Sequence, residues 1–407
     1  MRPLAVAAFA SLAGPLVAQE GTEPLSAIDW LSQSVEDVPA TVAAPLPAPE
    51  EPPVAGDASA PGITVTELDS GPAALGVLPP EVTGLPRSLW VGSEEPALVA
   101  LIGADGAETL PALQDLVATL MLAEAEPPAG TAPQGPVFLS RVDRLLAQRE
   151  VEAAQSLLES ADLLDRETFR RWFDATLLTG TEGAACDMLR SHPALAPTLE
   201  ARVFCLARNG DWNAAALTLN TARALGDVSA EDDALLSRFL DPELGATEPE
   251  AGPPTRPTPL VYRLREAVGD LMPTDGLPLA FAYLDLRPVV AWRAQIEAAE
   301  RLARRGALSE NLLLGIYTAR APAASGGVWD RAAAVQGLDR ALAQGDAEAV
   351  AEALPGTWEA MRAAGLAVPF ARLFGEALLG LGLEGEAARA AREIGLLSPA
   401  AAEAARA

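Results

Sequence analysis

From about residue 85 onward the apolar residues recur with the period of an α-helix, and this constrains the fold more than any motif in the chain. In LEARVFCLARN (residues 199–209), Leu199, Val203, Leu206 and Ala207 fall at i, i+4, i+7 and i+8, an amphipathic face. The same spacing predicts helices near 138–148, 151–160, 166–178, 183–191, 212–225 and 230–239. After a break it predicts more, near 259–269, 277–286, 289–304, 309–320, 328–343, 347–365, 368–380 and 384–395. In TLPALQDLVATLMLAEA (residues 109–125), Leu113, Leu116 and Leu120 are expected to share the packed face. Half the residues are hydrophobic but only 5% are aromatic, and Ala dominates. Small, unbranched side chains suit close-packed helices better than a sandwich or barrel.

Composition shifts divide the 407 residues. Residues 1–18, MRPLAVAAFASLAGPLVA, place a positive Arg2 before an apolar run and a Gly-Pro break, the order of a secretory signal cleaved after Ala18. The run is too short to span a bilayer. Residues 19–84 form an arm rich in Pro, Ala and Glu, expected to be mostly disordered. Two exceptions interrupt it. SAIDWLSQSVEDV (residues 26–38) aligns Ile28, Leu31 and Val35 with Trp30 beside them, a short striped helix. ITVTELD (residues 63–69) alternates like a strand. A first helical unit follows over 85–241, interrupted by the breaker EPPAGTAPQGP (residues 126–136). A linker covers 242–258, and a second helical unit covers 259–407.

Several junctions between helices look alike. RNGDWNAAALTL, AQGDAEAVAEAL and LGLEGEAARAA each set Gly or Gly-Asp between two helices, with Ala soon after. AQREVEAAQSLL and RRGALSENLLLG are looser versions. Gly at a helix C′ position and Asp as the next N-cap explain the pair physically. The pattern resembles the tetratricopeptide class of helical hairpins, although the spacing drifts from about 34 residues and most aromatic and proline consensus positions are missing. The resemblance implies an all-α fold, an irregular α-solenoid of helical hairpins, with a compact non-repeat α-bundle as the alternative; composition sets the disordered N-terminal arm in front of it.

Cys186 and Cys205 lie in adjacent helices, symmetric about the turn SHPALAPT (residues 191–198). An antiparallel hairpin brings such positions side by side, and in an oxidising compartment the pair becomes a disulfide; the alternative is two buried thiols.

Catalytic signals are sparse. The formal charge of −27 opposes binding to nucleic acid or to anionic lipid heads. None of the 29 basic residues is Lys, so P-loop and Schiff-base lysine chemistry is excluded. The single histidine, His192, sits in a Pro-bearing turn without a Gly-x-Ser-x-Gly elbow, and reads as a solvated turn residue. One His and two paired Cys do not make a zinc site. GLGLEG (residues 380–385) spells a dinucleotide fingerprint but follows a helix rather than a strand. Acid pairs such as Glu94-Glu95 and Asp232-Asp233 are too common to single out a carboxylate dyad. No catalytic, cofactor or metal residue is therefore assigned.

Two stretches, 277–308 and 322–342, carry Tyr283, Trp292, several arginines and Trp329, which either pack between helices or line a groove. In the second, Ser325 is the expected helix cap. The chain is thus expected to be a non-enzymatic periplasmic scaffold with no integral membrane segment, binding protein partners in a cell-wall, secretion or flagellar-motor assembly. Ile28, Trp30, Leu31 and Val35 would anchor a partner's groove. The alternative is a helical envelope enzyme, a carboxylate-based glycan hydrolase.

Overall fold

The structure, a computed structural model, describes residues 74–104, 110–241, 243, 252 and 254–406, all within the compact unit Glu67–Ala407. The signal segment, the helix over 26–38 with its anchors Ile28, Trp30, Leu31 and Val35, and the strand over 63–69 lie outside the described residues.

Sixteen helices of nine residues or more make up the described fold. The first half holds α1 (Glu95–Gly103), α2 (Pro111–Leu122), α3 (Pro136–Ala147), α4 (Val151–Glu159), α5 (Arg166–Thr179), α6 (Glu182–Ser191), α7 (Leu199–Arg208), α8 (Trp212–Leu225) and α9 (Ala230–Leu240). The second holds α10 (Pro259–Ala267), α11 (Trp292–Ala303), α12 (Glu310–Thr318), α13 (Val328–Gln344), α14 (Ala347–Ala363), α15 (Ala367–Leu379) and α16 (Gly385–Leu396). Among the described residues the β-type pairing is two isolated bridges, Leu75 with Ala125 and Leu78 with Ala123. The fold is an all-α stack of hairpins, with the most extensive contacts within α4–α5, α7–α8, α13–α14 and α15–α16.

The junction chemistry explains the hairpins. Gly210 and Gly345 adopt φ of 86° and 68°, a conformation that costs a residue with a Cβ but not glycine. The aspartate that follows caps the next helix: Asp211 accepts from the Ala214 amide and Asp346 from the Ala349 amide, each at 3.0 Å. The α3–α4 junction makes the same turn on a non-glycine residue, Arg149 at φ 72°.

Buried residues form two clusters that interlock. Phe138, Phe169, Phe173 and Phe204 centre the first, and Ile296, Tyr317, Trp358 and Phe370 the second. Leu260 and Leu264 of α10 belong to the first cluster, while Ala175 and Leu178 of α5 belong to the second. The helices on either side of 242–258 therefore share buried surface. The stack also meets itself: Arg372 on α15 pairs with Asp115 on α2, 257 residues earlier in the chain.

Residues 74–83, the end of the segment assigned to the arm, are tied to the hairpins by Arg141. Arg141 is 2% exposed, and its guanidinium donates to the carbonyls of Met121 at 2.8 Å, Leu75 at 3.0 Å and Ala123 at 2.7 Å. Burial lowers its pKa to about 10, so it stays charged at neutral pH.

Two local expectations are corrected. Leu113 and Leu116 are half exposed, while Val117 and Met121 face the core. The bridges at 123 and 125 and the Arg141 bond to Met121 fix the rotation of α2 and turn the leucine stripe outward. Ser325 does not cap α13; Gly327 holds the cap position, and the Asp330 carboxylate accepts from the Gly326 amide at 2.8 Å.

Candidate functional site

Helix α11 presents two faces. Trp292, Ile296, Ala299 and Ala303, at i, i+4, i+7 and i+11, are buried against the second core cluster. Ala294, Glu297 and Arg301, with Arg304 just past the helix end, line an open cavity of about 600 Å³. Its other walls are Pro273, Thr274 and Asp275 from the preceding loop, Asp285, and Val328 with Arg331 from the first turn of α13.

The floor is a buried carboxylate. Glu300 is 1% exposed, and its oxygens are fully engaged. Arg331 grips it with two bonds, Nε to Oε1 at 2.8 Å and Nη2 to Oε2 at 2.6 Å. Arg304 Nη2 adds a bond to Oε2 at 2.9 Å, and the Tyr317 hydroxyl donates to Oε1 at 2.9 Å. Arg304 also donates from Nε to the Ala364 carbonyl, just beyond α14, at 2.6 Å. Burial, then the neighbouring Glu300 charge, pushes the Tyr317 pKa upward, so this hydroxyl remains a donor. The bond to Glu300 raises the Arg331 pKa. One carboxylate thereby ties α11, α12, α13 and the end of α14 together.

The side wall is a second cluster. The Thr274 hydroxyl donates to Asp285, and Arg301 Nη2 donates to Thr274 Oγ1 at 2.6 Å and to Asp285 Oδ2 at 3.3 Å. Burial raises the Asp285 pKa, the Thr274 bond and the Arg301 charge oppose the rise, and Asp275 and Glu297 add to it. Glu297 pairs outward with Arg293 at 2.8 Å.

The groove expected near Tyr283, Trp292 and Trp329 is thus lined by other residues. Tyr283 is buried, its hydroxyl donating to the Ala307 carbonyl. Trp292 is also buried; its indole N–H donates to the Ile316 carbonyl at 2.8 Å, and its ring packs 5.2 Å from that of Trp329. Because both polar tips find backbone carbonyls inside, the rings serve as core, and Trp329 is half-buried against them. The arginines of the same stretch, Arg301 and Arg304, are the ones that face the cavity.

Cys186 and Cys205 meet across the α6–α7 hairpin, both buried, with sulfurs at disulfide distance and Cα atoms 4.8 Å apart. Beside them Leu189, Pro193, Leu206 and Arg202 edge a groove of about 410 Å³. His192 caps the end of α6, exposed. Among the described residues no group of three or more His, Cys, Asp or Glu is placed to hold a metal ion, and no helix is long and apolar enough to cross a membrane.

The chain matches no family model, and neither the search of curated proteins nor that of solved structures finds a match.

Proposed function

We propose that this chain is an exported, non-enzymatic α-solenoid that scaffolds a protein assembly of the cell envelope. The observation that carries this is the apolar surface the hairpins present outward. Trp212, Leu217 and Leu225 of α8 are 49, 68 and 69% exposed, and Leu113 and Leu116 of α2 are 48 and 52% exposed. Scattered single leucines need no explanation, but repeated large apolar side chains along one helix suit a partner surface. Periplasmic export is supported by the charged-apolar-small order of residues 1–18 and by a cysteine pair at disulfide distance. Ile28, Trp30, Leu31 and Val35 in the acidic arm supply a second set of anchors for a partner's groove.

A glycan hydrolase built on carboxylates is the less favoured function. Such chemistry needs one carboxyl to give a proton and another to offer a free lone pair. In the cavity Glu300 is saturated by Arg331, Arg304 and Tyr317, Asp285 is held by Thr274 and Arg301, and Glu297 is paired with Arg293, which leaves Asp275 as the single lining carboxylate without an ion-pair partner among the described residues.

The test is photo-cross-linking in the native cell, with the reactive residue at Leu217, Leu113 or Trp30. One envelope protein captured from at least one site, and lost on Leu217→Asp, Leu113→Asp or Trp30→Ala, is the expected result. Mature protein that begins at Met1 in the cytosol, or no adduct from any site, overturns the proposal.

A further inference from the structure

The cavity beside α11 has more charge than helix packing requires. Arg301 uses Nη2 on Thr274 and Asp285, Arg304 uses Nε and Nη2, and Arg331 uses Nε and Nη2. Each guanidinium carries five N–H groups, and among the described residues the Nη1 group of each of these three has no hydrogen-bond partner, while all three side chains line the same cavity. Against the two held carboxylates, Glu300 and Asp285, three arginines leave the inner wall one positive charge in excess. At the mouth stands Asp275, exposed and without an ion-pair partner among the described residues. It is one residue from Thr274, which is fixed to Arg301 at 2.6 Å, so an arginine-bearing wall and an unpaired carboxylate line one cavity.

This arrangement selects among ligands. With Asp275 and Glu297 at the mouth the lining sums to four carboxylates and three guanidiniums, a poor environment for a dianion such as phosphate. The residues lining the cavity include no aromatic ring on which a sugar or a base could stack. A ligand that carries a carboxylate at one end and an ammonium at the other meets complementary charge at both. We propose that this cavity binds a zwitterionic α-amino acid or short peptide with free termini, its carboxylate on Arg301 and Arg304 and its ammonium on Asp275. This goes beyond a scaffolding role and does not depend on it.

The full chain, with its cysteines oxidised, would be titrated calorimetrically with the free amino acids and with a panel of unmodified dipeptides. N-acetylated and C-amidated forms of the best probe, and inorganic phosphate, would follow. Saturable binding of a free probe is expected, weakened about tenfold or more by either terminal block and by Arg301→Gln or Asp275→Asn, with phosphate failing to displace it. Asp275 is exposed and Arg301 is part-buried among its partners, so an unchanged melting temperature in each variant would exclude unfolding as the cause. No binding at millimolar concentration, equal binding of blocked probes, displacement by phosphate, or full affinity in both variants would each overturn the assignment.

Discussion

Glu150 offers the sharpest test of the energetics, because its carboxylate sits where the stack meets itself. It immediately precedes α4, beside the Asp115–Arg372 pair, in a small cleft that Arg304, Arg305 and Gln114 also line. Burial, then the charges of Asp115 and Glu152, pushes its pKa from 4.5 to about 7. A folded-state pKa above the unfolded one means the folded protein holds this proton more tightly. The stabilising effect is therefore complete below about pH 4.5 and is lost as the pH rises through about 7. A rise from 4.5 to about 7 corresponds to about 3 kcal/mol, and the partly exposed edge of the side chain reduces this to about 2 kcal/mol. Glu150→Gln keeps the shape and removes the charge. It should raise the melting temperature by about 3 °C at pH 8 and leave it unchanged at pH 4, measured by circular dichroism in matched buffers. Equal shifts at both pH values, or a loss of stability at pH 8, would refute the reasoning; the second would mean that Glu150 is ionised and held by the nearby arginines.

Three further perturbations follow from the geometry. Cys205→Ser should lower stability by about 3 kcal/mol while preserving helix content, and intact mass with alkylation before and after reduction should show both thiols of the parent blocked until reductant is added. Glu300→Ala leaves Arg331, Arg304 and the Tyr317 hydroxyl facing an unfilled site and should cost about 3–5 kcal/mol in urea denaturation, whereas the double variant Glu300→Met with Arg331→Met should recover much of that loss. Arg141→Leu strands the Met121 and Ala123 carbonyls, leaves Leu75 only the Ala125 amide, and should speed amide exchange at residues 75–78 and 122–125 well before it affects α13–α16.

Helix identity was legible because each helix buries one stripe. The spacing predicts 212–225 where α8 runs Trp212–Leu225, and 328–343 where α13 runs Val328–Gln344. The hairpin turns were legible too, since Gly-Asp encodes both the left-handed residue and the next cap, as at Gly210 and Asp211. Rotation failed where propensity and periodicity did not decide it. In α2 nearly every position is apolar, so the pattern does not say which face packs; a long-range bond from Arg141 does, and Leu113 and Leu116 turn outward as a result. Arg141 does carry a sequence signal, since it stands on the apolar face of α3 between Phe138 and Leu145, but its backbone partners come from distant residues that the sequence does not reveal.

The cavity was half legible for the same reason. An aromatic side chain in an amphipathic stretch suits a core and a groove equally well, and Tyr283 and Trp292 found carbonyl partners inside. The arginines of that stretch were visible, but their partners were not, because Glu300, Thr274, Asp285 and Arg331 come from separate elements that only the packing brings together. One sequence signal does distinguish Glu300. It lies one turn after Ile296 on the apolar face of α11, where a charged residue has a high desolvation cost unless a partner meets it. An acidic residue at a core position is thus a request for a buried cation. Here Arg331 and Arg304 supply two, which holds the helices in place and sets both arginines in the lining of the cavity.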